Sequence, residues 1–542
     1  MPTVKLNKEV FEGLVGKKLP LDKLKERISY LGTDLESIEG NEISVEVFPN
    51  RPDLLSEQGF ARAFSSFIGV KRGLRKYNIK KSECKVKIES SVNSVRPFTA
   101  CALVKNLKFD NEKIKEIIQI QEKLHITYGR NRRKAAIGIY PIEKIKPPIY
   151  YKALPPEKIK FKPLESNKEM TGLQILSQHP TGREYGYLLE GKDKFPIFID
   201  SNNKILSMPP IINSDETGKI TNKTKEVFVE CSGSDFQTLN ILLNIIVTAL
   251  ADMGGEIYSM GLEYPNEKYT TPNLNPTKMK IKRDYINRLI GLDFKESELK
   301  KLFERMGCSY VKGTVLIPAY RADILHPIDL VEEIAIAYGY ENFKPEIQSI
   351  STTGKESKFE VFKRKIREVL IGYGLMETSS FIITSKQIVE EENKDHRLIE
   401  IKNPLSKEFN VLRTDLLSST LQTISKNQHN EFPQKIFEIG TIFDFENQKE
   451  NLAIALSHEK ANFTEMKQIL DSFISLLGLK YEIQETQHNS FIEGRVGRIL
   501  VNNKKIGYIG EINPKVLRNF GLEMPVTCME INLDELFEIK TS

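Results

Sequence analysis

Arg321-Ala322-Asp323-Ile324-Leu325-His326-Pro327-Ile328-Asp329-Leu330-Val331-Glu332-Glu333 organises the whole chain, because its first five residues echo Arg51-Pro52-Asp53-Leu54-Leu55, 270 positions earlier. At the same offset Gly69 meets Gly339. Further upstream the offset becomes 275, and Val4, Leu6, Phe11, Leu14, Gly16, Leu24, Ile28, Leu31 and Gly32 fall on Met279, Ile281, Ile286, Leu289, Gly291, Leu299, Phe303, Met306 and Gly307. Matches of residue class this dense mark an internal repeat. Each copy reads strand, helix, short loop, helix, strand and a last helix closing at Gly69 or Gly339. Two small α+β modules therefore bracket a long insert.

The insert, 86 to 268, alternates short strands with proline-rich connections such as Lys146-Pro147-Pro148 and Leu154-Pro155-Pro156. It ends in an apolar helix starting near Ser234. Within it Leu239 to Met253 is the longest apolar run of the chain, and Asn240, Asn244 and Asp252 interrupt it, so it reads as a buried helix and not a membrane span. From Glu356 the pattern changes. An amphipathic helix from Phe359 to Tyr373 precedes a strand containing Ser379 to Thr384. Apolar strands follow at Leu452 to Ser457, Arg498 to Val501 and, after a turn at Asn502-Asn503-Lys504, Ile506 to Ile512. Such hairpins build an antiparallel sheet with helices on one side.

With 542 residues, 40% of them hydrophobic and 28% charged, the chain has the composition of several globular cores. The 79 basic and 73 acidic residues leave a net charge of +6, which permits nucleic acid as a partner without demanding it. Cys84, Cys101, Cys231, Cys308 and Cys528 are scattered and odd in number, which argues against a disulfide framework or a cysteine zinc site and for a reducing compartment. Met1 leads into a polar stretch with no leader pattern, so a cytoplasmic location is expected. The H-E-x-x-H, G-x-S-x-G, Walker and G-x-G-x-x-G strings are missing.

Setting one module on the other separates chemistry from scaffold. Asp329, Glu332 and Glu333 stand where the first copy has Gly59, Arg62 and Ala63, whereas Arg-x-Asp persists in both. The fold does not require these acids. A helix beginning at Pro327 puts all three on one face, with Asp323 in the loop before it. Like charges at that spacing destabilise a helix, and a hard cation such as Mg2+ reverses the sign. An acidic first turn favoured by the helix dipole, or paired with Arg321, is the competing account. In the first copy Arg51 and Asp53 read as a loop-fixing pair.

Asn50-Arg51-Pro52-Asp53-Leu54-Leu55-Ser56, Tyr320 to Ile324 followed by Asp329-Leu330-Val331-Glu332-Glu333 and Tyr338-Gly339-Tyr340, and Phe437-Glu438-Ile439-Gly440 together resemble the beta subunit of phenylalanyl-tRNA synthetase. Gly129-Arg130-Asn131-Arg132 and Ala136-Ile137-Gly138-Ile139 fit the shorter archaeal and eukaryotic type. The resemblance implies an α+β multidomain chain: an amino-terminal module over 1–85, an editing domain over 86–268, a metal-binding module over 269–346, and over 355–542 a class II synthetase-like antiparallel sheet domain without catalytic motifs. It also implies two alpha and two beta subunits that use ATP to attach phenylalanine to tRNA(Phe), with editing of mischarged Tyr-tRNA(Phe) on this chain. Asp323, Asp329, Glu332 and Glu333 match the family's Mg2+ ligands.

A class II site holds ATP with an Arg that ends a G-x-G-x-G-x-x-R string. Nothing of that spacing follows Gly440. Arg413, in Val411-Leu412-Arg413-Thr414-Asp415, sits in a motif-2-like position with Asp415 where the motif has Glu. The domain therefore reads as an interface-forming relic, and aminoacylation falls to the alpha subunit. For editing, Pro209 to Gly218 resembles the family's glycine-rich loop, although Asn213-Ser214 replace a Gly pair and Asp215 replaces Glu. The candidates are Asp215, Asn213, Ser214 and Thr217, with His179 a second possibility; an ordinary surface turn is the competing account. Tyr128 to Lys134 packs four cations and an aromatic into seven residues, suited to phosphates or to a solvated loop. Two other functions stay open: a non-enzymatic nucleic-acid-binding or assembly protein, and a free-standing aminoacyl-tRNA hydrolase.

Overall fold

The computed structural model describes residues 2–350, 352–392, 397–445 and 447–541. They form two compact units, Met1–Glu346 and Ile347–Ser542. In the first unit the two repeat copies fold alike. Strand Thr3–Asn7, helices Lys8–Val15 and Leu21–Tyr30, strands Asp34–Glu39 and Glu42–Glu46 and helix Glu57–Phe67 make the first. Strand Thr277–Lys280, helices Arg283–Ile290 and Glu296–Arg305, strands Ser309–Val311 and Thr314–Ile317 and helix Pro327–Tyr338 make the second. In each sheet the third strand lies between the first and second. Gly16 and Gly291, equivalent in the two copies, end the first helices at φ of 81° and 78°, where a Cβ is disfavoured. Gly339 caps its helix; in the first copy Ile68 is the cap and Gly69 follows it.

The copies pack against each other. Phe11, Phe60, Phe64 and Phe67 share one core with Met306, Tyr320 and Ala337. Arg305 donates to the Phe67 carbonyl at 2.9 Å, and the Gly73 amide donates to the Glu304 carbonyl at 2.7 Å. Arg62 holds in the first copy the place of Glu332 in the second. It is buried, lies 4.1 Å from the centre of the Tyr320 ring, and pairs with Asp252 at 2.8 Å. Asp252 ends the helix Phe236–Asp252, which contains the long apolar run and is buried along most of its length. Midway along that helix the Asn244 amide donates to the carbonyls of Asn273 and Ala319 at 2.9 and 3.1 Å. One helix is thus tied to both modules.

The insert forms an eleven-stranded sheet that also takes in Ile79–Lys80 and Lys268–Thr271. Strand Val227–Gly233 lies antiparallel between Phe98–Lys105 and Ala135–Pro141, and all seven of its residues are buried. Helix Asn111–Ile126, capped by Asp110, lies against Ala135–Pro141: Gln121 donates to the Ile137 carbonyl and the Ile137 amide donates to His125 Nε2.

The second unit is a seven-stranded sheet, antiparallel except where Met376–Glu377 joins Gln434–Phe443. Helix Lys358–Gly372, capped by Ser357, packs with Phe463–Leu476 and Leu533–Thr541 on one face. The expectation of helices on one side alone is corrected: Leu417, Leu421 and Ile424 of helix Leu417–Lys426 and Val516 of helix Pro514–Asn519 cover apolar residues of the other face. Strands fully buried on both faces lose the alternation that reveals a second layer. Asn502 and Asn503 make the expected turn, both with positive φ. Among the described residues no helix is long and apolar enough to cross a membrane.

Arg62 is the staple most exposed to test. Arg62→Ala leaves Asp252 and the Tyr77 hydroxyl without their shared donor, and we expect it to destabilise the first unit by about 2–3 kcal/mol. Calorimetric unfolding reads this directly, and an unchanged transition would show that the modules do not depend on the staple.

Candidate active site

Residues Ile114, Ile118, Gln121, Glu122 and His125 recur at helical spacing along Asn111–Ile126 and line one wall of a cavity of about 550 Å3. Pro209 to Asn213 and Asp215 form a second wall, and buried Glu230 of strand Val227–Gly233 lines the cavity at its floor. Arg132 fastens the walls together. Its guanidinium donates to Glu122 Oε1 at 2.9 Å and to the Ile211 carbonyl at 2.8 Å, and it lies 4.2 Å from the centre of the Tyr185 ring. His125 Nε2 accepts from the Ile137 amide, so its Nδ1 carries the proton toward Glu122 Oε1 at 3.3 Å. Burial lowers its pKa and keeps the ring neutral.

The floor is unusual in its chemistry. Glu230 is 2% exposed and sits beside Gly138 on the neighbouring strand, where a Cβ would come within 2.6 Å of Glu230 Oε1 and closer still to the Tyr140 hydroxyl. Glycine at 138 is what lets these two groups meet. The Tyr140 hydroxyl lies 3.1 Å from Glu230 Oε1 and 3.2 Å from Asn213 Oδ1. Burial pushes the Glu230 carboxyl up to about 8, and the Tyr140 hydroxyl and Arg96 offset this only in part. Glu230 is therefore a neutral acid at pH 7, able to donate as well as accept. Its Oε2 makes no hydrogen bond of normal geometry among the described residues, although the Ser232 hydroxyl is near enough to lower the carboxyl's pKa; the Ser207 hydroxyl neighbours that of Tyr140 and does not line the cavity. A buried carboxyl oxygen is rarely left in this state, and a ligand that enters and pairs with it gains what the empty site lacks.

The sequence-derived candidates divide. Asn213, Asp215 and His179 line the cavity; Ser214 and Thr217 do not. Ser214 is buried with its amide on the Leu206 carbonyl, and the Thr217 hydroxyl donates to the Ile205 carbonyl at 3.3 Å. His179 has both nitrogens engaged: Nδ1 accepts from the Thr181 amide as a helix cap and Nε2 donates to the Leu164 carbonyl at 3.1 Å. Asp215 lies at the rim, where the hydrogen bond from Lys162 at 2.9 Å lowers its pKa and keeps it charged. Glu230 and Tyr140 were not among the candidates. An acid within Val227-Phe228-Val229-Glu230-Cys231 was the available signal, since a charge in an apolar strand is informative where an exposed one is not.

The four acids of the second module do not converge. Asp323 receives Arg321 through both carboxylate oxygens at 2.8 and 2.6 Å, and Glu333 receives the same guanidinium through both of its own at 3.0 and 2.9 Å. Asp329 Oδ2 accepts the amides of Leu325 and His326, which caps the helix. Glu332 alone faces solvent. Among the described residues no group of three or more His, Cys, Asp or Glu side chains is arranged to hold a metal. Arg321 is fully buried, and these carboxylates do not fit an ion that would have to displace it.

Residues 279–340 match the tRNA synthetase B5 domain and residues 344–533 the phenylalanyl tRNA synthetase beta chain CLM domain. Phenylalanine–tRNA ligase beta subunits of Thermococcus onnurineus and Pyrococcus abyssi are each 40% identical, over 99% of this chain and 99% and 100% of theirs. This chain belongs to the phenylalanine–tRNA ligase beta-subunit family. An amino-terminal fragment of the phenylalanyl-tRNA synthetase beta subunit from Pyrococcus horikoshii covers 62% of the chain with 39% identity and a TM-score of 0.60.

Membership gives the string Phe437 to Gly440 a physical meaning. Glu438 Oε1 accepts from buried Arg413 at 2.6 Å, and Arg413 Nε donates to the Thr441 carbonyl at 2.7 Å. A Cβ at Gly440 would stand 2.2 Å from Arg413 Nη2. The motif-2-like arginine of this beta-subunit relative is thus a buried structural cation.

Two outcomes follow from these geometries. A carboxyl with a folded pKa near 8 and an ordinary value of 4.5 adds stability below pH 4.5 that is lost as pH rises through 8. Glu230→Gln has no such loss, so its stability relative to the parent should climb by about 1.4 kcal/mol per pH unit between pH 5 and 8; parallel urea midpoints across that range would sink the assignment. Arg321→Met strands two buried carboxylates and should cost about 3–5 kcal/mol, whereas EDTA should leave the melting temperature where it is in Mg2+. A melt that drops on chelation would mean the acids hold an ion after all.

Proposed function

We propose that the chain is the beta subunit of a phenylalanine–tRNA ligase in which two alpha and two beta subunits act in the cytoplasm, the alpha subunit charging tRNA(Phe) with phenylalanine and ATP and this chain hydrolysing mischarged Tyr-tRNA(Phe). Buried Glu230, which lines the cavity and whose Oε2 makes no hydrogen bond of normal geometry, carries the editing part of this reading. Tyrosine and phenylalanine differ by one phenolic oxygen. A phenol that reaches the floor finds a neutral acid to exchange hydrogen bonds with, while phenylalanine leaves it as it is. Each unsatisfied buried group is worth about 1–3 kcal/mol, and polar pockets of this type discriminate strongly. A neutral Glu230 can donate to the phenol as well, whereas an ionised carboxylate could only accept.

Hydrolysis itself adds water to the ester carbonyl, breaks the bond to the ribose oxygen and returns a proton to that oxygen. We place the water near Asp215, which stays ionised at the rim and can orient it. Arg132, by fixing the Pro210–Ile211 wall, positions the loop that carries Asn213 and Asp215. Mg2+ enters this reading only as the cation that accompanies ATP phosphates.

The decisive experiment is deacylation of preformed Tyr-tRNA(Phe) by the assembled enzyme. Glu230→Ala should lower the rate at least tenfold, and Asp215→Ala should lower turnover, with phenylalanine charging retained. Full-rate deacylation by Glu230→Ala would refute Glu230 as the tyrosine sensor. Because Arg413 is enclosed by Glu438, Ser380 and Thr441, the purified chain alone should exchange no pyrophosphate into ATP with phenylalanine. Measurable exchange would remove the relic reading of the second unit.

A further inference from the structure

The turn that carries Arg132 into the cavity is left-handed over three consecutive residues: Arg130, Asn131 and Arg132 have φ of 51°, 51° and 63°. Residues with a Cβ avoid this region, and a run of them persists only where the surroundings hold it. Gly129 supplies part of that hold. A Cβ there would stand 2.6 Å from the Ala135 carbonyl oxygen and 2.8 Å from that of His125. Amides of Asn131 and Arg132 close the turn onto the Ile126 and His125 carbonyls. The consequence is a split cluster: Arg132 points inward, while Arg130 and Arg133 are exposed and Lys134 is half-buried.

None of these three outer cations has a carboxylate within 4 Å among the described residues, whereas Arg132 of the same turn pairs with Glu122. Lys134 lies 5.7 Å from the centre of the Tyr128 ring. A second concavity of about 840 Å3 is lined by Lys123, Tyr128, Arg130 and Lys134 together with Pro2 and Pro49. One strained turn therefore supplies Arg132 to an amino-acid-sized cavity and Arg130 and Lys134 to a basic groove.

We propose that Arg130, Arg133 and Lys134 form a phosphate-binding edge that guides the single-stranded 3′ end of the tRNA across the turn and its esterified amino acid into the cavity. This rests on the editing reading above. Charge complementarity favours the backbone of a nucleic acid as the occupant: unpaired cations attract phosphates without reading bases. An acidic protein segment is the alternative occupant and becomes an outcome of the test.

The test replaces Arg130, Arg133 and Lys134 together by Gln in the assembled enzyme and leaves Arg132 intact. Affinity for tRNA(Phe), with and without its single-stranded 3′ end, is measured as a function of KCl, alongside KM and kcat for Tyr-tRNA(Phe) hydrolysis. We expect a loss of affinity of about tenfold or more at 0.1 M salt, and a slope of log affinity on log salt smaller by about 2. The loss should fall on KM rather than kcat and vanish with the truncated tRNA. Arg133→Lys, which keeps the charge, should keep the wild-type slope. A triple variant with wild-type affinity and slope overturns the proposal, as does one that loses only assembly with the alpha subunit. If the parent enzyme hydrolyses no Tyr-tRNA(Phe), the editing reading fails by itself, and the affinity and its salt slope still decide whether the edge binds the tRNA.

Discussion

The first unit depends on how it neutralises buried arginine. Arg51 and Arg321 each fold back on an aspartate two residues later, and their charges are close enough to oppose one another. Burial works against the charge of Asp323, yet Arg321 and Arg51 overcome it and hold the carboxyl well below the usual range. The second copy adds Glu333 to the same guanidinium. The third acid appears in only one copy, where it gives the fully buried Arg321 a second carboxylate. That asymmetry accounts for Glu333 without a metal. It also explains why removal of any single member is expected to be severe while replacement of the entire group by apolar residues need not be.

The same economy of partners sets the position of the cavity. Helix Phe236–Asp252 is fixed to the first copy through Asp252 and Arg62, and to the second through Asn244 and the carbonyl of Ala319. Strand Val227–Gly233, immediately before it, brings Glu230 to the floor. A small displacement of this strand would move Glu230 away from Gly138, and with it the contact to Tyr140 that shapes the floor.

Much of this architecture was legible in the sequence. The repeat survived because its hydrophobic positions face the same neighbours in both copies, and the loop Pro209 to Gly218 was found because polar turn residues interrupt apolar strands. What could not be read depends on distant partners. Asp323 and Glu333 look like ligands in sequence because spacing shows which face an acid shares, but not that Arg321 lies between them. Ser214 and Thr217 look reactive, but neither lines the cavity, and the Thr217 hydroxyl donates to a carbonyl of strand Ile205–Met208. Glu230 acquires its character from Gly138, 92 residues away in the chain and opposite it in the sheet. In the second unit the string around Glu438 was recognisable by likeness, yet its reason is the Arg413 pair and the space left by Gly440.

Either protonation state of Glu230 separates the two substrates, because phenylalanine leaves the buried carboxyl without a partner and tyrosine supplies one. In the neutral form the carboxyl can also donate to the phenol. It is already dry, and what it lacks is one hydrogen-bond partner, which is what tyrosine brings and phenylalanine does not. Burial keeps the proton on Glu230 at pH 7; above pH 8 that fails, and the carboxyl becomes an anion that can accept but no longer donate. The hydrogen bond offered to the phenol should therefore change character through pH 8, from a carboxyl that can donate to one that only accepts, and a rate of Tyr-tRNA(Phe) hydrolysis that is flat across that pH would exclude Glu230 as the contact.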